Sequence, residues 1–200
     1  MLFYELRHTF KYKTVIFVVF SIILILLTKT SSAAVVEYNL IIEEGEITVE
    51  GLNTIGMTVN GAVPGPVLRF KEGDLARIHV QNRMDMETSI HWHGVLVPPD
   101  MDGVPYVSFP PIKPHSTFTY EFPIRQSGTY WYHSHTGLQE QSGVYGSIVI
   151  EPKDIKNTIK YDREYVVLLS DWTEEDPHEV LRTLKRGSEW YSIEKGSAQS

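Results

Sequence analysis

The sequence predicts an all-β fold, a sandwich or barrel of short antiparallel strands. From Val36 onward β-rich runs alternate with turn clusters, no long helical period appears, and the runs recur at short regular spacing. The first runs are residues 38–42, 47–49, 67–70 and 75–80. Asn60-Gly61, Pro64-Gly65-Pro66, Glu72-Gly73-Asp74 and Asp102-Gly103 punctuate them, supplying positive φ or holding φ near its turn value. Residues 117–122 alternate cleanly, 129–135 are aromatic and strand-like, and 144–150 close the series before Glu151-Pro152.

The ends of the chain read differently. Arg7, Lys11 and Lys13 precede an apolar run at 15–27 broken only by Ser21, and Ser31, Ser32, Ala33 and Ala34 follow. That order predicts a signal peptide over residues 1–34, cut after Ala34. Its competitor is an uncleaved anchor, but the 13-residue run falls short of the roughly 20 residues that span a bilayer as a helix. The protein is therefore expected to be exported, to the periplasm or beyond, and to meet a membrane only through this segment. A globular domain is expected over 35–152 and a charged, aperiodic linker over 153–163. A fresh apolar strand at 165–169 and a short helix near 179–185 follow. Residues 164–200 hold too little apolar surface to fold alone and read as the truncated start of a second domain.

Composition narrows the chemistry. Without residues 1–34 the totals of 18 basic and 25 acidic residues become 14 and 24, so nucleic acid is excluded as a partner. There is no cysteine, which removes both disulfides and any thiolate metal ligand.

Four of the eight histidines fall in two pairs, His91-Trp92-His93 and His133-Ser134-His135. In an extended strand alternate side chains share a face, so each pair presents two imidazoles about 6.6 Å apart at the backbone. Spacing leaves open whether a pair chelates one ion or serves two neighbouring ions. Neutral imidazoles without carboxylates suit copper, zinc, iron or nickel rather than magnesium or calcium. The alternative, histidines merely hydrogen-bonded within strands, suits one pair better than two. His79, His115 and His178 lack paired spacing and read as surface or structural residues. Met84-Asp85-Met86 reads as gap-filling rather than a copper(I) site. Asp102 fits either a turn or a residue that orients a ligand or relays protons.

The segments Ser89-Ile90-His91-Trp92-His93-Gly94 and Gly128-Thr129-Tyr130-Trp131-Tyr132-His133-Ser134-His135-Thr136-Gly137 resemble the paired motifs of multicopper oxidases. Asn60-Gly61-Ala62-Val63-Pro64-Gly65-Pro66 with Gly73-Asp74 resembles the first cupredoxin domain of that family, and together these cover about residues 53–151. Met101-Asp102-Gly103-Val104-Pro105, Arg125-Gln126-Ser127-Gly128, Gln139-Glu140-Gln141 and the stretch at 164–173 are similar to the copper-resistance oxidases of the bacterial periplasm.

The resemblance implies a cupredoxin-like Greek-key β-sandwich and a second domain of the same kind beginning at 164. It implies that His91 binds a type 2 copper, that His93 binds a type 3 copper, and that His133 and His135 each serve a different type 3 copper. Such a trinuclear cluster reduces dioxygen to water with electrons from copper(I) or phenolic compounds, delivered through a type 1 copper. Trp92, Trp131 and Tyr132 would flank the cluster, either as shields or as core packing. Here the chain departs from the pattern: a type 1 site needs a cysteine, and the cluster needs a second set of histidines from a C-terminal cupredoxin domain. The chain is expected to supply half of the ligands and to be catalytically silent alone. Two other classes remain, a non-catalytic periplasmic copper-binding module and a zinc hydrolase with an open metal position. The latter lacks a third-ligand motif and a general base.

Overall fold

A computed structural model of the chain describes residues 33–49, 51–154 and 161–187. Of the expected signal segment only Ala33 and Ala34 are described, and most of the expected 153–163 linker lies outside the described residues. Two four-stranded sheets face each other across one core. One has the order β2-β1-β4-β6, built from β1 (Val35–Val49), β2 (Leu52–Val59), β4 (Leu75–Asn82) and β6 (Thr117–Pro123). The other has the order β3-β8-β7-β5, from β3 (Leu68–Lys71), β5 (His91–His93), β7 (Gly128–His133) and β8 (Tyr145–Glu151). Every link from β2 to β7 crosses between the sheets. This is the all-β, cupredoxin-like sandwich that the sequence implies.

Its pairing is not wholly antiparallel. β1 runs parallel to β4, and β3 parallel to β8. Because successive strands sit in opposite sheets, neighbours within a sheet are often distant in sequence and are not bound to hairpin geometry.

β1 explains why residues 38–42 and 47–49 read as separate runs. Its first half pairs with β4 and its second half with β2, the change falling at Ile42. Buried Leu40 and Ile42 share one parity and buried Ile47 the other, so a period-2 pattern breaks in mid-strand although the backbone stays extended. β2 escapes the sequence reading altogether, since Asn53 and Gly56 dilute its β character.

Residues 165–169 alternate as expected, with Val166 and Leu168 half-buried and Tyr165, Val167 and Leu169 exposed. They form no strand, because no described strand pairs with them in a ladder. The expected helix is present as α1 (Pro177–Arg186), with Asp176 capping its N-terminus through the backbone N–H groups of His178 and Glu179. No residue of α1 is buried. Among the described residues no helix is long and apolar enough to cross a membrane.

Aromatic residues bind the two sheets together. Trp92 of β5 meets Tyr120 of β6 edge-on at 5.0 Å, and Tyr120 in turn stacks on Phe109 at 5.4 Å. The Tyr120 hydroxyl accepts from the Ile90 backbone N–H at 3.1 Å, and Tyr132 of β7 donates to the Pro66 carbonyl at 2.9 Å. Tyr132 fits because its neighbour on β8 is glycine: a Cβ at Gly146 would collide with its phenol ring.

Gly146→Ala is thus expected to lower stability by about 1–3 kcal/mol through overpacking, read from the urea midpoint; a variant as stable as the parent would show that the ring moves freely. Burial raises the Tyr120 and Tyr132 phenols above the usual tyrosine range, although the Ile90 hydrogen bond opposes the shift at Tyr120. With folded values raised, the unfolded chain loses these protons first, at about pH 10, so stability falls as pH rises beyond that point. In an alkaline titration their tyrosinate absorbance should emerge only together with loss of the β-sheet circular dichroism. Ionisation of all tyrosines in one wave while the sheets persist would overturn this.

Candidate metal centre

β5 is only three residues long and lies at the edge of its sheet, against β7. The antiparallel register sets His91 opposite His133, Trp92 opposite Tyr132 and His93 opposite Trp131. Alternation then divides the six residues cleanly. Trp92 and Tyr132 point inward and are completely buried, while His91, His93, Trp131 and His133 share the outer face.

One nitrogen from each of His91, His93 and His133 lies within 4.8 Å of the others. His93 Nδ1 and His133 Nε2 approach to 3.2 Å, close to the ~3.3 Å that separates two nitrogens sharing one tetrahedral ion at bonds of about 2.05 Å. The donor set is all nitrogen, which suits copper among the transition metals. The three residues therefore fit the metal that the motif implies.

His135 joins differently from the expectation. β7 ends at His133, so His135 does not share a strand face with it. The strand stops because Ser134 turns into a local network: its N–H donates to the Val144 carbonyl and its hydroxyl to Gln139 Oε1 at 2.8 Å. The His135 ring nonetheless stands 5.5 Å from His91 and 5.8 Å from His133, centroid to centroid. Thus four rings gather on one side of the sheet. His133 is buried, His91 half-buried, and His93 and His135 are exposed.

Hydrogen bonds decide which nitrogen each ring offers. His91 Nδ1 lies 2.8 Å from the Asp102 carbonyl, with the Asp102 carboxylate at 3.4 Å, so Nε2 is left for a ligand. The 102–103 turn and the orienting role coincide: Gly103 has φ +74°, and a Cβ there would strike the Ile90 carbonyl just before His91. His133 Nδ1 is hydrogen-bonded to the Ser134 carbonyl at 2.9 Å, with the Glu140 carboxylate 2.7 Å away but off the N–H direction. Burial, reinforced by the neighbouring His91, His93 and His135, pushes the His133 imidazole down to about 4 against the Ser134 hydrogen bond. The ring is neutral at neutral pH, as a metal ligand must be.

Trp131 is the flanking aromatic that belongs to the site. It stacks on His133 at 4.1 Å and on His93 at 5.0 Å. Trp92 and Tyr132 are core residues. His79 bonds to Thr119 and Glu37, and His115 to Asp85, in keeping with structural roles. Met84 is buried and Met86 exposed.

Beneath the rings lies a buried polar network that spacing alone did not announce. Gln139 Oε1 accepts from both Thr88 Oγ1 at 2.6 Å and Ser134 Oγ at 2.8 Å, and its amide donates to the Glu87 carbonyl at 2.8 Å. Ser89 Oγ accepts from the His135 N–H at 3.1 Å and from Thr136 Oγ1 at 2.9 Å. These bonds tie the segment leading into His91 to the turn carrying His135.

The multicopper oxidase family model matches residues 41–155. Copper resistance protein A of Pseudomonas syringae pv. tomato is 52% identical over 159 residues, covering 80% of this chain and 26% of that protein. Copper resistance protein A of Escherichia coli is 49% identical over 164 residues, with 82% and 27% covered. Among solved structures, Fet3p, a multicopper oxidase that functions in iron import, aligns with TM-score 0.66 at 34% identity over 73% of this chain and 28% of its own. A multi-copper oxidase from Pseudomonas thermotolerans gives 0.59 at 38% identity, with 62% and 31% covered. The chain spans about a quarter of the length of the curated relatives it matches.

Gln139→Leu would leave the Thr88 and Ser134 hydroxyls buried without their shared acceptor. A loss of about 1–3 kcal/mol is expected, measured by denaturant unfolding; an unchanged midpoint would mean that the network contributes nothing.

Proposed function

The chain belongs to the multicopper oxidase family, and from that premise we propose that it is the N-terminal part of an exported, periplasmic copper-resistance oxidase. The whole protein oxidises copper(I) or phenolic compounds and passes their electrons to dioxygen, which leaves as water. The convergence of His91, His93 and His133 nitrogens within 4.8 Å carries this reading. The names of the similar copper resistance proteins support the substrate class.

In this reading His91 holds the type 2 copper, and His93, His133 and His135 hold type 3 copper. Bound copper supplies the one-electron redox chemistry that links reductant to dioxygen. The residues of this chain do the holding. The Asp102 carbonyl directs His91 Nε2 outward, the Ser134 carbonyl on His133 Nδ1 directs its Nε2 toward His93, and stacked Trp131 limits rotation of both type 3 rings. A further cupredoxin-like domain contributes the remaining ligands and the cysteine of the type 1 site, since no residue of this sequence can. We assign residues 1–34 to the signal peptide, 35–152 to the first cupredoxin-like domain, 153–163 to a linker and 164–200 to the start of the second.

A non-catalytic copper-binding module uses the same four imidazoles, and a titration separates the two readings. As half of a cluster, the 200-residue chain should bind copper weakly and consume no dioxygen with copper(I) or a phenol. His91→Ala, His93→Ala and His133→Ala should each weaken copper binding about tenfold or more, while His115→Ala leaves it unchanged, as followed by competition with a chromophoric chelator. Tight binding by the chain alone would favour the buffering module; no binding, or equal loss with His115→Ala, would sink the metal site.

A further inference from the structure

We propose that the cavity between the outer face of β7–β8 and the 166–171 segment is a binding site for an aromatic amine, a ring that carries an ammonium group. The inference goes beyond the copper reading and stands without it.

Strand register builds one wall. Trp131 of β7 pairs with Ser147 of β8, and by alternation both lie on the outer face, opposite the face of Tyr132 and Gly146. The 166–171 segment forms the other wall, and the space between measures about 440 Å³, within the roughly 300–1,000 Å³ usual for small-molecule sites. That second wall is held along its length. Arg69 pairs with Glu164 at 2.7 Å, the Tyr145 hydroxyl donates to Ser170 Oγ at 2.7 Å, and the Trp172 indole lies 3.1 Å from where a Cβ on Gly56 would sit. The cavity is therefore preformed rather than a gap beside a loose end.

Two observations say what it takes. Ser147 is only 5% exposed and lines the cavity, yet its hydroxyl makes no hydrogen bond with any described residue. Side chains this buried are ordinarily satisfied, so this hydroxyl is available to a polar group of a ligand. The charges of the lining, moreover, have one sign. Glu140 and Asp171 contribute carboxylates, and among the described residues no Lys, Arg or His lines the space. Ligands bearing phosphate or carboxylate are thereby disfavoured, and an ammonium is drawn in.

The remaining walls are aromatic and aliphatic. Tyr130 and Tyr145 commit their hydroxyls to the Ser127 carbonyl and to Ser170, so with Trp131 they offer ring surface rather than polar groups. Ring surface attracts both another ring and a cation. Half-buried Val166 and Leu168 complete the apolar side. Trp131 also stacks on His93 and His133, so a ligand here touches the indole that abuts the metal face.

The test uses the metal-free 200-residue chain at neutral pH, with phenethylamine as the probe, phenethyl alcohol as its neutral analogue and phenylpropionate as its anionic one. Phenethylamine should shift the Trp131 indole and Ser147 amide resonances saturably. The alcohol should bind about three- to tenfold more weakly, and phenylpropionate more weakly still. Glu140→Gln combined with Asp171→Asn should bring the amine down to the affinity of the alcohol, while Glu44→Gln, an exposed acid outside the cavity, leaves it unchanged. Ser147→Phe, which fills the space, should abolish binding; if that variant does not fold, the carboxylate pair and the three ligands decide. The site is overturned by the absence of a saturable shift, by phenylpropionate binding as tightly as the amine, or by an amine affinity unchanged in the double variant. Shifts spread over the acidic surface, or an equal loss with Glu44→Gln, would overturn it as well.

Discussion

The pairing of β5 with β7 is the constraint on which the rest depends. Setting Trp92 against Tyr132 in the core sets His91 against His133 outside, because side chains on paired strands alternate together. A slip of one residue would drive imidazoles into an apolar interior and two large aromatic rings into water. Full burial of a side chain such as Trp or Tyr is worth on the order of 2–3 kcal/mol, so the aromatic pair holds the register that the histidines need. The metal face is a consequence of how the core packs, which is why a strand of three residues suffices to carry two ligands.

Register brings the rings together, but it does not choose their nitrogens. That choice falls to acceptors outside the strands: the Asp102 carbonyl for His91 and the Ser134 carbonyl for His133. Both ligating edges are presented by the same device, an Nδ1–H bound to a loop. The loops can serve because they are themselves anchored, one by the close approach of Gly103 to the Ile90 carbonyl and the other by Gln139. Neutral His133 is secured separately, by burial.

How much of this the sequence disclosed follows from the range of each interaction. Alternation within a strand is local, so the sandwich and the two histidine pairs were legible. β1 was divided in the reading because its two halves bury opposite faces, and β2 was missed because its stability comes from pairing with β1 rather than from its own composition. His135 was assigned to a strand that stops two residues earlier, where a buried Ser134 hydroxyl finds Gln139. Glu140 lies seven positions beyond His133, and its approach depends on a turn closed by Gly143; no periodicity encodes that. The stretch at 165–169 shows the converse, a strand-like pattern with no partner strand to complete it among the described residues.

The distribution of exposure along the site has its own logic. His133 sits deepest and carries the most constraints, stacked by Trp131 and bonded at both ring nitrogens. His91 is intermediate, while His93 and His135 stand exposed. His93 and His135 stand on the open side of the site, since β5 is an edge strand with no described strand paired beyond it. The contacts of the site are thus concentrated at one imidazole, His133, which is buried, stacked by the Trp131 indole and bonded to the Ser134 carbonyl.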